Sequence, residues 1–67
     1  MPDIGEVIRI LREEQGYTQS ALANRCGVCR HSIQSIENTN RGNLSSVEAI
    51  LAYLGYELEV VPINGRD

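Results

Sequence analysis

The chain has 67 residues, with six arginines and no lysine against nine acidic side chains, for a formal charge of −3. At this length it makes one domain at most and buries only about 60% of its unfolded surface, so it sits near the lower limit for folding alone and gains from a partner subunit. With no Trp, no Phe and three tyrosines, its core must be built from Ile, Leu, Val and Ala, and the absence of an 18-residue apolar run, a signal-peptide pattern or an internal repeat gives the expectation of a cytoplasmic protein with no membrane contact.

Asp3 followed by Glu6 has the spacing of a capping box, and Ile4, Val7, Ile8 and Leu11 repeat at the helical interval. A first helix is therefore expected from about Ile4 to Gln15, stopping at Gly16. Thr18 can cap a second helix, Gln19 to Arg25, which carries Ala21, Leu22 and Ala23 and is closed by Gly27. A third begins near Cys29 and runs to about Asn38. Val28, Ile33 and Ile36 fall on one side of it, while Arg30, His31, Gln34 and Ser35 are left on the others. Two short helices joined by a tight glycine turn can place the second of them in the major groove of DNA.

Asn40, Arg41, Gly42 and Asn43 form a turn cluster, after which Asn43 or Ser45 can cap a last helix. Its inward stripe is expected to be Leu44, Val47, Ile50, Leu51 and Leu54, ending at Gly55. The period then changes to two: Tyr56, Leu58 and Val60 share one face, Glu57, Glu59 and Val61 the other, and Pro62 stops the run. A lone strand has unpaired backbone groups, satisfied most simply by the same strand of a second copy, antiparallel across a twofold axis. A free tail, or a strand added to another protein's sheet, are the alternatives. The organisation read from the chain is a helical domain over 1–55, a dimerisation strand over 56–63 and a tail over 64–67.

The acidic total argues against a nucleic-acid binder, because phosphate contacts need positive side chains. The distribution argues the other way. Residues 17–43 hold Arg25, Arg30 and Arg41 against Glu37 alone, a net of +2, while residues 1–16 carry −2 and residues 44–67 carry −3.

Cys26, Cys29 and His31 include a Cys-x-x-Cys step, half of a zinc site, but no further Cys or His completes it, so no metal or cofactor is expected. Cys26 reads as a buried thiol. Cys29 stands at a helix start, where the helix end can depress a thiol pKa, and a redox switch through both cysteines is the competing reading. The sole histidine has no Ser or Cys partner at triad spacing, and no phosphate loop is present, so no enzyme activity is expected.

Arg12, Gly16-Tyr17-Thr18-Gln19, Leu22-Ala23, Gly27-Val28, Ser32-Ile33 and Ile36-Glu37-Asn38 together resemble the XRE-type helix-turn-helix domains of the phage lambda-type repressors, over roughly residues 4 to 55. Asn43 to Val61 more narrowly resembles HipB-type antitoxins, in which a short terminal strand follows the helices. The resemblance implies an all-α, four-helix, lambda repressor-like domain with a C-terminal strand, through Tyr56, Leu58 and Val60, that pairs across a homodimer. It implies that Arg12 pairs with Glu37 at the end of the reading helix. By motif position, Gln19 would bond a DNA phosphate and brace that helix, with Asn38 and Arg41 on phosphates at its far end. Arg30, His31 and Ser35 would reach base edges, with Gln34 flanking. The function implied is a repressor on a palindromic operator. The alternative is an antitoxin that binds a toxin protein and autoregulates its operon. A third reading, a scaffold without DNA binding, draws on the acidic total and on departures from the family pattern at Cys29 and Thr39-Asn40.

Overall fold

The computed structural model describes residues 3–59, and these form α1 (Ile4–Glu14), α2 (Gln19–Cys26), α3 (Arg30–Thr39) and α4 (Leu44–Leu54). Two of the helix starts follow from the residue just before them. The Thr18 hydroxyl accepts from the Ala21 N–H at 3.0 Å, and Asn43 Oδ1 accepts from the Ser46 N–H at 2.8 Å, which decides the cap of α4 between Asn43 and Ser45.

At α1 the capping box does not form. Asp3 stands in the capping position with extended backbone, yet its side chain makes no capping bond. The Gly5 N–H instead donates to Asn40 Oδ1 at 2.8 Å, from a residue 35 positions away. Asn40 can reach because it leaves α3 in the left-handed conformation, φ 59°, which asparagine tolerates better than most side chains. Gly5 makes the approach possible. A Cβ there would run into the Ile36 carbonyl and lie 2.7 Å from Asn40 Oδ1, so α1 crosses α3 backbone to backbone.

The α2–α3 turn is set by Gly27 at φ 74°. The N–H groups of Gly27 and Val28 both close on the Ala23 carbonyl, at 3.0 and 3.2 Å, ending α2 and letting α3 begin at Arg30.

The core is aliphatic, as the composition requires: Ile8, Leu22, Ala23, Ile33, Ile36, Val47, Ile50, Leu51 and Leu54, with Ile4, Leu11, Tyr17, Cys26 and Val28 packed around it. Leu44 corrects the expected stripe of α4, for it is 63% exposed. Burial on α4 begins one turn later at Val47, so the first turn overhangs the core. Among the described residues no strand forms. Among the described residues, 56–59 follow Gly55 with no ladder partner, and Tyr56 and Leu58 are 53% and 43% exposed. Val60 and Val61 of the expected strand lie outside the described residues. No helix among the described residues is long and apolar enough to cross a membrane.

The Gly5 contact gives a prediction in which two effects oppose. Helix propensity alone makes Gly5→Ala stabilising by up to about 1 kcal/mol. The collision is with a main-chain carbonyl that cannot rotate away, and overpacking of this kind costs about 1–3 kcal/mol. Net destabilisation is expected in urea unfolding followed by far-UV circular dichroism, and a gain in stability would contradict the close α1–α3 crossing.

Candidate nucleic-acid interface

Three helices meet at one charged junction. Arg12 comes from the last turn of α1, Gln19 opens α2 and Glu37 lies near the end of α3. Arg12 Nε donates to Glu37 Oε2 at 2.7 Å and Nη2 to Oε1 at 3.0 Å, a two-point pair, while Nη1 donates to the Tyr17 carbonyl at 2.8 Å. The side chains are 10% and 2% exposed, so the near-zero value of a surface ion pair does not apply. Removing one partner would strand a buried charge, at a cost of about 3–5 kcal/mol. The Glu37 hydrogen bond raises the Arg12 pKa further above its ordinary value, against the opposing effect of burial.

Gln19 joins this pair by donating its Nε2 to Glu37 Oε1 at 3.1 Å. An ionised carboxylate only accepts, so the partner fixes which way the Gln19 amide faces. Among the described residues its second N–H and its carbonyl have no hydrogen-bond partner.

On α3, Ile33 and Ile36 are fully buried and seat the helix, whereas Arg30 and His31 on its first turn are exposed. Gln34 and Ser35 are half-buried, and Asn38 is exposed toward the far end. Ser35 Oγ donates to the Arg41 carbonyl at 3.1 Å, which holds the 40–43 loop against the helix. Between α3 and the start of α4 lies an open depression of about 180 Å³ that includes His31, Ser35, Arg41, Asn43 and Ser46 in its walls. The structure thus gathers the expected site residues into two groups: Arg12, Gln19 and Glu37 at the junction, and His31, Ser35 and Arg41 at the depression. Arg30 stands beside the second group on the same turn as His31. Tyr56 and Leu58 belong to neither, lying beyond α4.

Two of the contacts that the sequence did not reveal bear on this surface. Asn40, read only as part of a turn, holds the start of α1; its signal was an asparagine where a helix ends, the residue that after glycine best accepts positive φ. Arg25, counted with the free positive charges, donates to the Tyr53 hydroxyl at 2.9 Å and lies 5.8 Å from the Tyr17 ring centre. Neither contact has a local spacing that would reveal it.

The thiols of the turn differ. Burial pushes the half-buried Cys26 thiol up. The exposed Cys29 thiol is pulled down, first by the Ser32 hydroxyl, 3.2 Å from its sulfur, and then by main-chain amides of the helix start. Among the described residues no group of three or more His, Cys, Asp or Glu side chains is placed to hold a metal ion.

Residues 3–61 match the family described as a helix-turn-helix domain. The chain belongs to the helix-turn-helix family. Over 52 residues this helix-turn-helix chain is 42% identical to the competence pilus inhibition repressor of Acinetobacter baylyi, an alignment covering 78% of this chain and 44% of that protein. The chain thus spans less than half the length of that relative. Its fold is similar to a chain in the solved structure of the HipA-HipB-O2-O3 complex, with a TM-score of 0.77 and 25% identity, covering 88% of this chain and 84% of that one. Together these place the helix-turn-helix chain in the XRE-type DNA-binding group near HipB, with α2, the Gly27 turn and α3 as the motif.

The contrast between the two thiols is open to measurement. Hydrogen bonds to the thiolate enlarge the reactive fraction of Cys29 near neutral pH, while burial shrinks that of Cys26. Iodoacetamide should therefore label Cys29 first, and Ser32→Ala should slow that labelling; mass spectrometry of the peptides reads both. Faster labelling of Cys26 would contradict the geometry of the turn.

Proposed function

We propose that the protein is a homodimeric, sequence-specific DNA-binding repressor that places one α3 in each of two successive major grooves of a palindromic operator. The observation that carries this is the sidedness of α3. Arg30 and His31 project outward on its first turn while Ile33 and Ile36 anchor it in the core, and Gln19 is pinned beside it by Glu37. The repressor of Acinetobacter baylyi, alike in sequence, supports the regulatory part of the reading.

In this reading Gln19 gives its remaining N–H to a phosphate, and Asn38 and Arg41 hold the backbone at the other end of the helix; such contacts set register and carry no sequence information. Arg30, His31 and Ser35 face base edges, with Gln34 at the flank. A guanidinium matches O6 and N7 of guanine with two parallel bonds, so Arg30 is the main discriminating residue. The supply of cations is small. With no lysine and with Arg12 neutralised by Glu37, one copy neutralises few phosphates, and a second copy doubles the number. Pairing through Tyr56, Leu58 and Val60 would provide that copy.

A second reading is favoured by the likeness to a chain of the HipA-HipB-O2-O3 complex: an antitoxin that binds a toxin protein related to HipA and represses its own operon. It keeps the same DNA surface and adds a protein partner.

Selection of duplexes from a random pool is expected to return an inverted repeat with half-sites about one helical turn apart. On that duplex Arg30→Ala should relax one position of each half-site, with a loss of about 1–3 kcal/mol in discrimination. Gln19→Ala should weaken specific and random duplex alike. An equal loss on both duplexes for both variants would overturn the roles assigned.

A further inference from the structure

A serine hydroxyl carries one hydrogen, and at Ser35 the fold has already engaged it. The atom facing Ser35 Oγ at 3.1 Å is the Arg41 carbonyl oxygen. A carbonyl cannot donate, so the serine must. What Ser35 retains is acceptor capacity, two lone pairs and no hydrogen. The tie also has a function within the fold, because it holds the 40–43 loop that carries Arg41 and forms part of the depression shared with His31, Asn43 and Ser46. Thr39 is committed in the same sense: its hydroxyl donates to the Ser35 main-chain carbonyl at 2.6 Å. Arg30 has the opposite polarity, since a guanidinium offers donors only.

Base edges in the major groove divide along the same line. Guanine presents N7 and O6 and thymine presents O4, all acceptors; adenine N6 and cytosine N4 are amino donors. Ser35 can meet an amino group while keeping its bond to Arg41. Opposite guanine O6 or thymine O4 it would set lone pair against lone pair, unless the hydroxyl released the loop.

We infer that Ser35 is an acceptor-type specificity residue that selects a base with an exocyclic amino group, adenine or cytosine, one helical turn beyond His31 along α3. This rests on the DNA-binding reading above and deepens it. Each half-site then combines two polarities: a guanine that accepts from Arg30, and an adenine or cytosine that donates to Ser35.

The test uses the full chain, as wild type, Ser35→Ala and Ser35→Thr, each checked for folding by circular dichroism. The duplex selected by the wild type is compared with that selected by Ser35→Ala, and the position whose preference disappears is assigned to Ser35. That position should be adenine or cytosine, and Ser35→Thr, which keeps a hydroxyl, should keep the preference. The amino group is then deleted, by purine in place of adenine or 2-pyrimidinone in place of cytosine. Wild-type binding should weaken by roughly three- to tenfold more than that of Ser35→Ala, the equivalent of one hydrogen bond. Including the variant cancels any effect of the altered base pair on the duplex itself.

Guanine or thymine at the Ser35 position, in a duplex that still depends on Arg30, would overturn the inference and leave the DNA-binding reading intact. Equal sensitivity of wild type and Ser35→Ala to the amino deletion would do the same, and would make the Ser35–Arg41 bond structural only. A pool that yields no preferred sequence would overturn both.

Discussion

The buried pair between Arg12 and Glu37 is the constraint on which the rest of the molecule depends. Two ionised groups taken out of water gain little net stability from each other, because desolvation offsets most of their attraction. Their value here is geometric. A bidentate pair allows little rotation, and this one joins the end of α1 to the end of α3 while also accepting Gln19 from the start of α2. The angle of α3 and the facing of the Gln19 amide are therefore fixed by the same carboxylate. The Asn40 contact to Gly5, at the other end of α1, fixes the same two helices at a second point.

A small aliphatic core would not give this definition unaided. Nine buried apolar residues without a large aromatic ring fill the interior, and their attraction is not directional. The polar contacts supply the direction: Arg12 with Glu37, Asn40 with Gly5, Ser35 with Arg41, and Arg25 with Tyr53. Of these only the Arg12–Glu37 pair neutralises a cation, since Arg41 is held by its main-chain carbonyl and Arg25 by an uncharged hydroxyl. With no lysine the cations are few, and in the proposed reading hydrogen-bond polarity along α3 carries much of the sequence discrimination.

Much of this was legible from the sequence where the cause is local. Thr18, Gly27, Asn43 and Gly55 set helix boundaries through their own backbone chemistry, and the spacing of Ile33, Ile36, Val47, Ile50 and Leu51 marked the buried faces. Local patterns failed where a distant residue competed. The capping box at Asp3 lost to Asn40, whose position depends on how α3 ends, and Leu44 matched the helical period but overhangs the core. The junction of Arg12 and Glu37 was legible only through the family resemblance, since nothing in the spacing of residues 25 apart announces a contact. The strand expected from residue 56 onward is of another kind, because the alternation is in the chain while a strand also needs a pairing partner, which the alternation does not specify.

In the proposed DNA-binding reading, the Arg12–Glu37 pair orients Gln19 and α3 toward the duplex while adding little to the stability of the fold. Replacing both together, Arg12→Met with Glu37→Leu, tests it most directly, because apolar residues of similar volume often substitute for a buried pair with little loss of stability. Affinity for the selected duplex should be measured on this variant once circular dichroism shows it folded. The expected result is a folded domain that binds every duplex more weakly, by about tenfold, as Gln19 loses its anchor and α3 its fixed angle. A folded variant that binds with undiminished affinity would contradict the claim and reduce the pair to a component of the core.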